Sequence, residues 1–233
     1  MGNWICKSLI DSITIHKQDS DIFANLDLPY AYEFVFDDKF KDSVFVSNGF
    51  EQYYLSIQKK GDSIILINAI QDNNLILVKN PAVTKLTLLD FENGKSKTSS
   101  FTYSKPADSD LQDMGNYFEG FPTAFNKVTV AGDYQLVEDN KLLDFKVHFK
   151  PDGTVDGIDD AYLYRCCIAG DCFNMIPHVN TLSVLYKTAN EKEMAWYFKG
   201  DTLLLFPLRN HKTNEPGHWK KTKPVIKLIL LKP

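Results

Sequence analysis

The chain is written almost throughout in alternating apolar and polar positions, the period of two that belongs to β-strands. The stretches "YAYEFVF" (30–36), "DSVFVS" (42–47), "QYYLSIQ" (52–58), "SIILINAI" (63–70), "NLILV" (74–78), "VTKLTLLDF" (83–91) and "TSSFTYS" (98–104) are short and rich in aromatic and β-branched residues. Such side chains suit a pleated, half-buried surface. Past residue 122 the pattern returns at 133–138, 142–150, 161–167, 172–176, 181–188, 193–198, 202–208 and 225–231. Between the runs lie turn residues, among them Asn93-Gly94 and Pro151-Asp152-Gly153, placed where tight hairpins need positive φ.

One stretch breaks the alternation. "KPADSDLQDMGNYFEGFP" (105–122) is polar, carries Pro and Gly, and has no period. It reads as a boundary, giving an N-terminal β unit (1–105), a linker (106–122) and a C-terminal β unit (123–233). Two segments have helical spacing. In 3–14, Trp4, Ile5, Ser8, Leu9 and Ile13 share one face, and 187–195 is long enough for a single turn. The expected fold is therefore all-β: two related antiparallel units, each a barrel or sandwich, with a short N-terminal helix.

Relatedness rests on repeated phrases. "KGDSIILI" (60–67) and "KGDTLLLF" (199–206) nearly coincide, and "PAVTKLTLLDF" (81–91) resembles "PVIKLILLKP" (224–233). Gly61 maps to Gly200 with a shift of 139, and Lys85 to Lys227 with a shift of 142. A third pair, "YEFVFDD" and "FKVHFKPD", maps Phe36 to Phe149 with a shift of 113. Turn chemistry alone explains Gly-Asp, but two matches in nearly one register favour a tandem pair of units.

Composition narrows the function. The 233 residues carry a net charge of −4, which argues against nucleic acid; the basic cluster Lys220, Lys221, Lys223 and Lys227 around Trp219 reads as a solvated rim. No apolar run is long enough to span a membrane. The start shows no secretory signal, which fits a cytoplasmic protein; a mature envelope lipoprotein fits if Met1-Gly2 is a remnant, and Gly2 also loosely matches an acylation pattern.

Residues 131–208 add a resemblance. "AGDYQLVEDN", "DFKVHFKPDGTVDG" and "NTLSVLYKTANEKEMAWYFKGDTLLLF" resemble the punctuation of the small lipocalin-like, calycin-type domains of bacterial envelope proteins. In those, a Gly-x-Trp opening strand precedes a "DGt" hairpin and a later hairpin. The opening tryptophan is here Tyr134. The resemblance implies a small barrel that is either filled or holds one ligand.

The candidate chemistry is sparse. Phe145, Val147 and Phe149 are expected to face inward, with Lys146, His148 and Lys150 outward. In a hollow barrel, Tyr134, Phe145, Phe149 and Trp196 would line a ligand cavity; in a filled one they are core. A two-residue turn at Ala169-Gly170 would place Cys167 opposite Cys172 within reach of a disulfide. A metal set from Cys167, Cys172 and His178 with Cys166 or Cys6 has loose spacing, and Asp152, Asp156, Asp159 and Asp160 lack the closing Glu of a calcium loop. No nucleophile elbow, phosphate loop or dinucleotide fingerprint occurs. The reading is a non-catalytic binding protein without a metal or other cofactor, taking a small apolar ligand. The alternative is an interaction module, such as a bacterial immunity or inhibitor protein that masks a partner protein.

Overall fold

A computed structural model describes residues 2–24, 26–49, 51–71, 73–80, 85–92, 95–104, 119–158, 161–168, 179–185, 189–210, 219–221 and 226–231. The chain divides into one unit of Met1–Ser12 with Asp27–Phe121 and another of Ile13–Leu26 with Pro122–Pro233. Each is an antiparallel ring of eight strands.

In the first unit the ring follows chain order: β1 (Gly2–Cys6), β2 (Glu33–Phe36), β3 (Ser43–Ser47), β4 (Gln52–Lys60), β5 (Ser63–Ile70), β6 (Asn73–Asn80), β7 (Lys85–Glu92) and β8 (Lys95–Ser104), with β8 returning to β1. Directly paired residues face the same side of a sheet. One face of the ring carries Phe34, Val46, Leu66, Leu77, Leu88 and Phe101, all fully buried, and is the interior.

Helix α1 (Lys7–His16) leaves β1 without a break. The helix expected over 3–14 therefore begins later, and its first residues are strand. Trp4 pairs with Phe34 on one side and Tyr103 on the other. Closing the ring satisfies the backbone of this segment on both flanks, and that outweighs a helical spacing of apolar side chains. Leu9 of α1 is buried, and the Ser8 hydroxyl accepts the Ser100 N–H at 3.3 Å, tying the helix to β8.

The second ring is β9 (Gly132–Glu138), β10 (Lys141–Phe149), β11 (Thr154–Ile158), β12 (Ala161–Cys166), β13 (Asn180–Val184), β14 (Lys192–Lys199), β15 (Thr202–Asn210) and β17 (Ile226–Leu230), closed by β17 on β9. Strand β16 (Trp219–Lys221) pairs with the far end of β15. Ala195 and Trp196 are both buried, so β14 is covered on both faces. On its outer face Ala195 packs with Leu204, Phe206 and Leu208.

Helix α2 (Gly120–Val128) was not anticipated. Its Pro122 looked like a breaker, but the first N–H groups of a helix have no intrahelical acceptor, so proline in the first turn loses nothing. Strand β11 was also missed, inside the stretch whose aspartates were weighed only against a calcium loop. The single helical turn expected over 187–195 is replaced by a turn at 189–190 and then β14 from Lys192. The strand expected at 172–176 and most of the linker lie outside the described residues.

The repeated phrases now separate. Lys60 pairs with Ser63 around Gly61-Asp62, and Lys199 with Thr202 around Gly200-Asp201. The two glycines have φ of 58° and 60°, and glycine adopts such values without strain. Each turn is also gripped by a third strand: Lys79 N–H donates to the Asp62 carbonyl at 2.8 Å, and Leu230 N–H to the Asp201 carbonyl at 2.9 Å. The hairpins are thus equivalent locally. They are not equivalent in chain order, being the fourth and fifth strands of one ring and the sixth and seventh of the other. The second phrase fails more plainly: β7 pairs with β6 and β8, whereas β17 pairs directly with β15. The third pair fits better, because β2 and β10 are each second in their ring.

Candidate binding site

Inside the second barrel, Tyr134, Phe149 and Trp196 are buried on inward rows. Their polar atoms are satisfied internally. The Tyr134 hydroxyl donates to the Val130 carbonyl at 2.8 Å, and the Trp196 indole N–H to the Thr181 carbonyl at 3.2 Å. Tyr164 on β12 donates to the Lys150 carbonyl at 2.6 Å. Phe149 meets Tyr134 and Tyr164 edge-on, with ring centroids 5.9 and 5.0 Å apart. Such geometry favours aromatic pairs, and buried hydroxyls with partners cost little. Burial pushes the Tyr134 and Tyr164 phenols and the Cys166 thiol well above their ordinary values.

The same end is sealed. The Asn180 side chain accepts the Ile22 N–H at 2.8 Å and donates to the Asp19 carbonyl at 2.9 Å, while Phe23 stacks on Phe125 at 5.8 Å. These groups pack as a core.

Phe145 departs from the expected inward row. Val137 faces Leu142 and Gln135 faces Lys146, so β10 takes four steps where β9 takes two. The extra residues form a bulge, and Phe145 on it is 43% exposed. Gln135 fills the gap by donating to the Leu143 carbonyl at 2.8 Å. Gly157 presses on the same bulge: a Cβ there would lie 2.1 Å from the Lys146 carbonyl oxygen. Past it the expected alternation returns, with Val147 and Phe149 inward and His148 outward beside Asp133.

Cys167 is disulfide-bonded, and Cys6 and Cys166 are buried free thiols. Cys172, His178, Asp159 and Asp160 lie outside the described residues. Asp152 accepts the Thr154 N–H and hydroxyl, and Asp156 pairs with Lys150 at 2.9 Å. Among the described residues no group of three His, Cys, Asp or Glu side chains could hold a metal, and no helix is long and apolar enough to cross a membrane.

The first barrel ends differently. Opposite α1, the inward rows of β8, β1 and β2 finish in Tyr103, Trp4 and Phe36. Tyr103 is 42% exposed, and Trp4 and Phe36 are only half-buried, on the face that carries the buried interior residues Phe34 and Phe101. Trp4 and Tyr103 meet edge-on at 5.8 Å. Beside them Gly2 has φ of 137°, and a Cβ there would sit 2.4 Å from the Tyr103 ring. Glycine thus lets the ring lie flat over the first strand. This aromatic arc was missed because Trp4 looked like part of a helix face; the alternation of Phe101 and Tyr103 was the signal within reach.

On the outer face of this barrel sits a buried carboxylate. Glu33 is fully covered and accepts three N–H bonds: from the Asn3 side chain at 2.5 Å, from Gly120 at 3.2 Å and from Phe121 at 2.8 Å. It caps the start of α2, where negative charge is favoured. Burial raises its proton affinity, while Phe121, Asn3 and Gly120 favour the ionised form; the balance is a pKa of about 7. Tyr32 packs alongside on Phe121, ring centroids 4.9 Å apart.

No protein-family model matches the chain, and no curated protein or solved structure is significantly similar to it. The closed eight-stranded antiparallel rings are consistent with a lipocalin-like fold.

Proposed function

We propose that this is a non-catalytic, lipocalin-like binding protein that takes a small apolar ligand at the open end of its first barrel, between Tyr103, Trp4 and Phe36. One observation carries the reading: three inward-facing aromatic rings, those of Tyr103, Trp4 and Phe36, stay partly solvent-accessible together at one end of the first ring. Small barrels bind single ligands at their mouths, and binding sites are mostly apolar with few polar groups. The four residues first favoured for the ligand are less suited, since three are committed to the second barrel's core and Phe145 points away from it.

Titration with N-phenyl-1-naphthylamine, a neutral apolar fluorophore, tests this. Saturable one-to-one binding is expected, with tryptophan energy transfer that falls in Trp4→Phe and weaker binding in Tyr103→Ala. Binding unchanged by Tyr103→Ala, or none at all, would sink the reading.

A second reading has its own support. On the outer face, Tyr54 is 52% exposed and stacks on Phe45 at 4.4 Å, with Phe40 edge-on at 5.0 Å. A surface tyrosine backed by two aromatic rings suits a partner protein, as an immunity or inhibitor protein would need. Native mass spectrometry separates the two: a retained small-molecule mass supports the ligand, and a clean apo mass favours the partner.

A further inference from the structure

We infer that the ligand of the first barrel is an amphipathic anion, its apolar body against Tyr103, Trp4 and Phe36 and its anionic group against Lys59 and Lys79. The inference rests on the ligand reading above and adds the charge. Lys59 is paired with Ile64, and Lys79 with Leu86; both partners are buried on the inward row. The two lysines therefore continue the interior rows of β4 and β6 onto the rim, at the same end as the aromatic arc.

Only β5 lies between β4 and β6, and neighbouring strands are about 4.8 Å apart. Two lysine arms spaced by about 10 Å reach one anionic group from both sides. Both are exposed, and neither is engaged in an ion pair among the described residues. The charge is also segregated around the rim. Lys59, Lys60, Lys79 and Lys85 lie on the β4–β7 side with Asp62 as the one acidic residue described there, while Asp37, Asp38 and Asp42 stand with Lys39 and Lys41 between β2 and β3. An anion is drawn to the first side and its apolar body is left to the arc formed by β8, β1 and β2.

Two probes that share a ring system separate charge from apolar binding: 1-anilinonaphthalene-8-sulfonate and the neutral N-phenyl-1-naphthylamine. At low ionic strength the full chain should bind the sulfonate about five- to tenfold more tightly than the neutral probe. Lys59→Gln with Lys79→Gln should abolish that preference and leave the neutral probe within about twofold of its original affinity. The outward-row control, Lys60→Gln with Lys85→Gln, removes the same charge and should preserve the preference. Equal affinity for both probes in the unmodified chain, or a preference untouched by Lys59→Gln with Lys79→Gln, overturns the anionic assignment while leaving apolar binding intact. Failure of both probes to bind removes the ligand reading itself. Thermal melts of the variants keep folding out of the comparison, because all four lysines lie at strand ends.

Discussion

Both barrels close the same ring of eight antiparallel strands, yet their interiors are finished differently. The second is plugged with large aromatic side chains whose hydroxyl and indole groups all find carbonyl acceptors, and its end is sealed by Asn180 and the Phe23–Phe125 stack. The first is filled by aliphatic residues and Phe34 and Phe101, and leaves Trp4, Phe36 and Tyr103 accessible at one end. Ring closure alone does not decide whether a small barrel holds a ligand. What decides is whether the last inward residues on each strand are spent on one another.

The sharpest way to break this contrast is to cut one tryptophan in each barrel. Trp196→Ala should cost roughly 3–5 kcal/mol, as for large buried aromatics generally. Trp4→Phe should cost under about 1 kcal/mol. Chemical denaturation of the two variants measures both, and equal losses would mean that the first mouth is core after all.

The next effect belongs to Glu33. Its folded pKa of about 7 exceeds the ordinary 4.5, so between those values the folded chain holds a proton that the unfolded chain releases. Stability is then fully present below the ordinary value and falls as pH rises through about 7, by on the order of 3 kcal/mol in total. Glu33→Gln should flatten that slope in unfolding experiments run from pH 4 to pH 8. A slope that survives the substitution would assign it elsewhere.

A smaller difference concerns cysteine. We propose Cys172 as the partner of the disulfide-bonded Cys167, and a loop that short contributes about 2 kcal/mol in the chain-entropy estimate. Thiol labelling in denaturant should find Cys6 and Cys166 before reduction and all four cysteines after it. Labelling of Cys172 without reductant would exclude the pairing.

The smallest test uses the shared turns. Gly61→Ala and Gly200→Ala meet no atom within 4 Å, so only the positive φ resists them. Each should cost about 1 kcal/mol, and the two costs should agree although the hairpins occupy different places in their rings. Unequal melting shifts would show that the surrounding strands contribute.

How far the sequence could be read depended on how local each feature is. Strands such as β3, β5 and β14 were legible because alternation and flanking turn residues lie within one short window. Phe145 was misplaced because a bulge is set by the partner strand and by the pressure of Gly157, neither of which appears in the run 145–149. Helix α2 was hidden because its cap is Glu33, far away in sequence, and no local Ser, Thr or Asp announces it. The aromatic mouth was missed for the same reason: Trp4 becomes an inward strand residue only when β8 arrives beside it.

An all-β chain in two units, the position of most strands and the form of the Lys-Gly-Asp hairpins were all legible along the chain. These follow from side-chain periodicity and from glycine's freedom at positive φ, which need no distant partner. Where α1 begins, which phrases occupy equivalent strands, and which aromatic residues stay at a surface became visible once the strands were paired. Those depend on backbone pairing across the closed ring, where hydrogen bonds between residues about a hundred apart outweigh local preference.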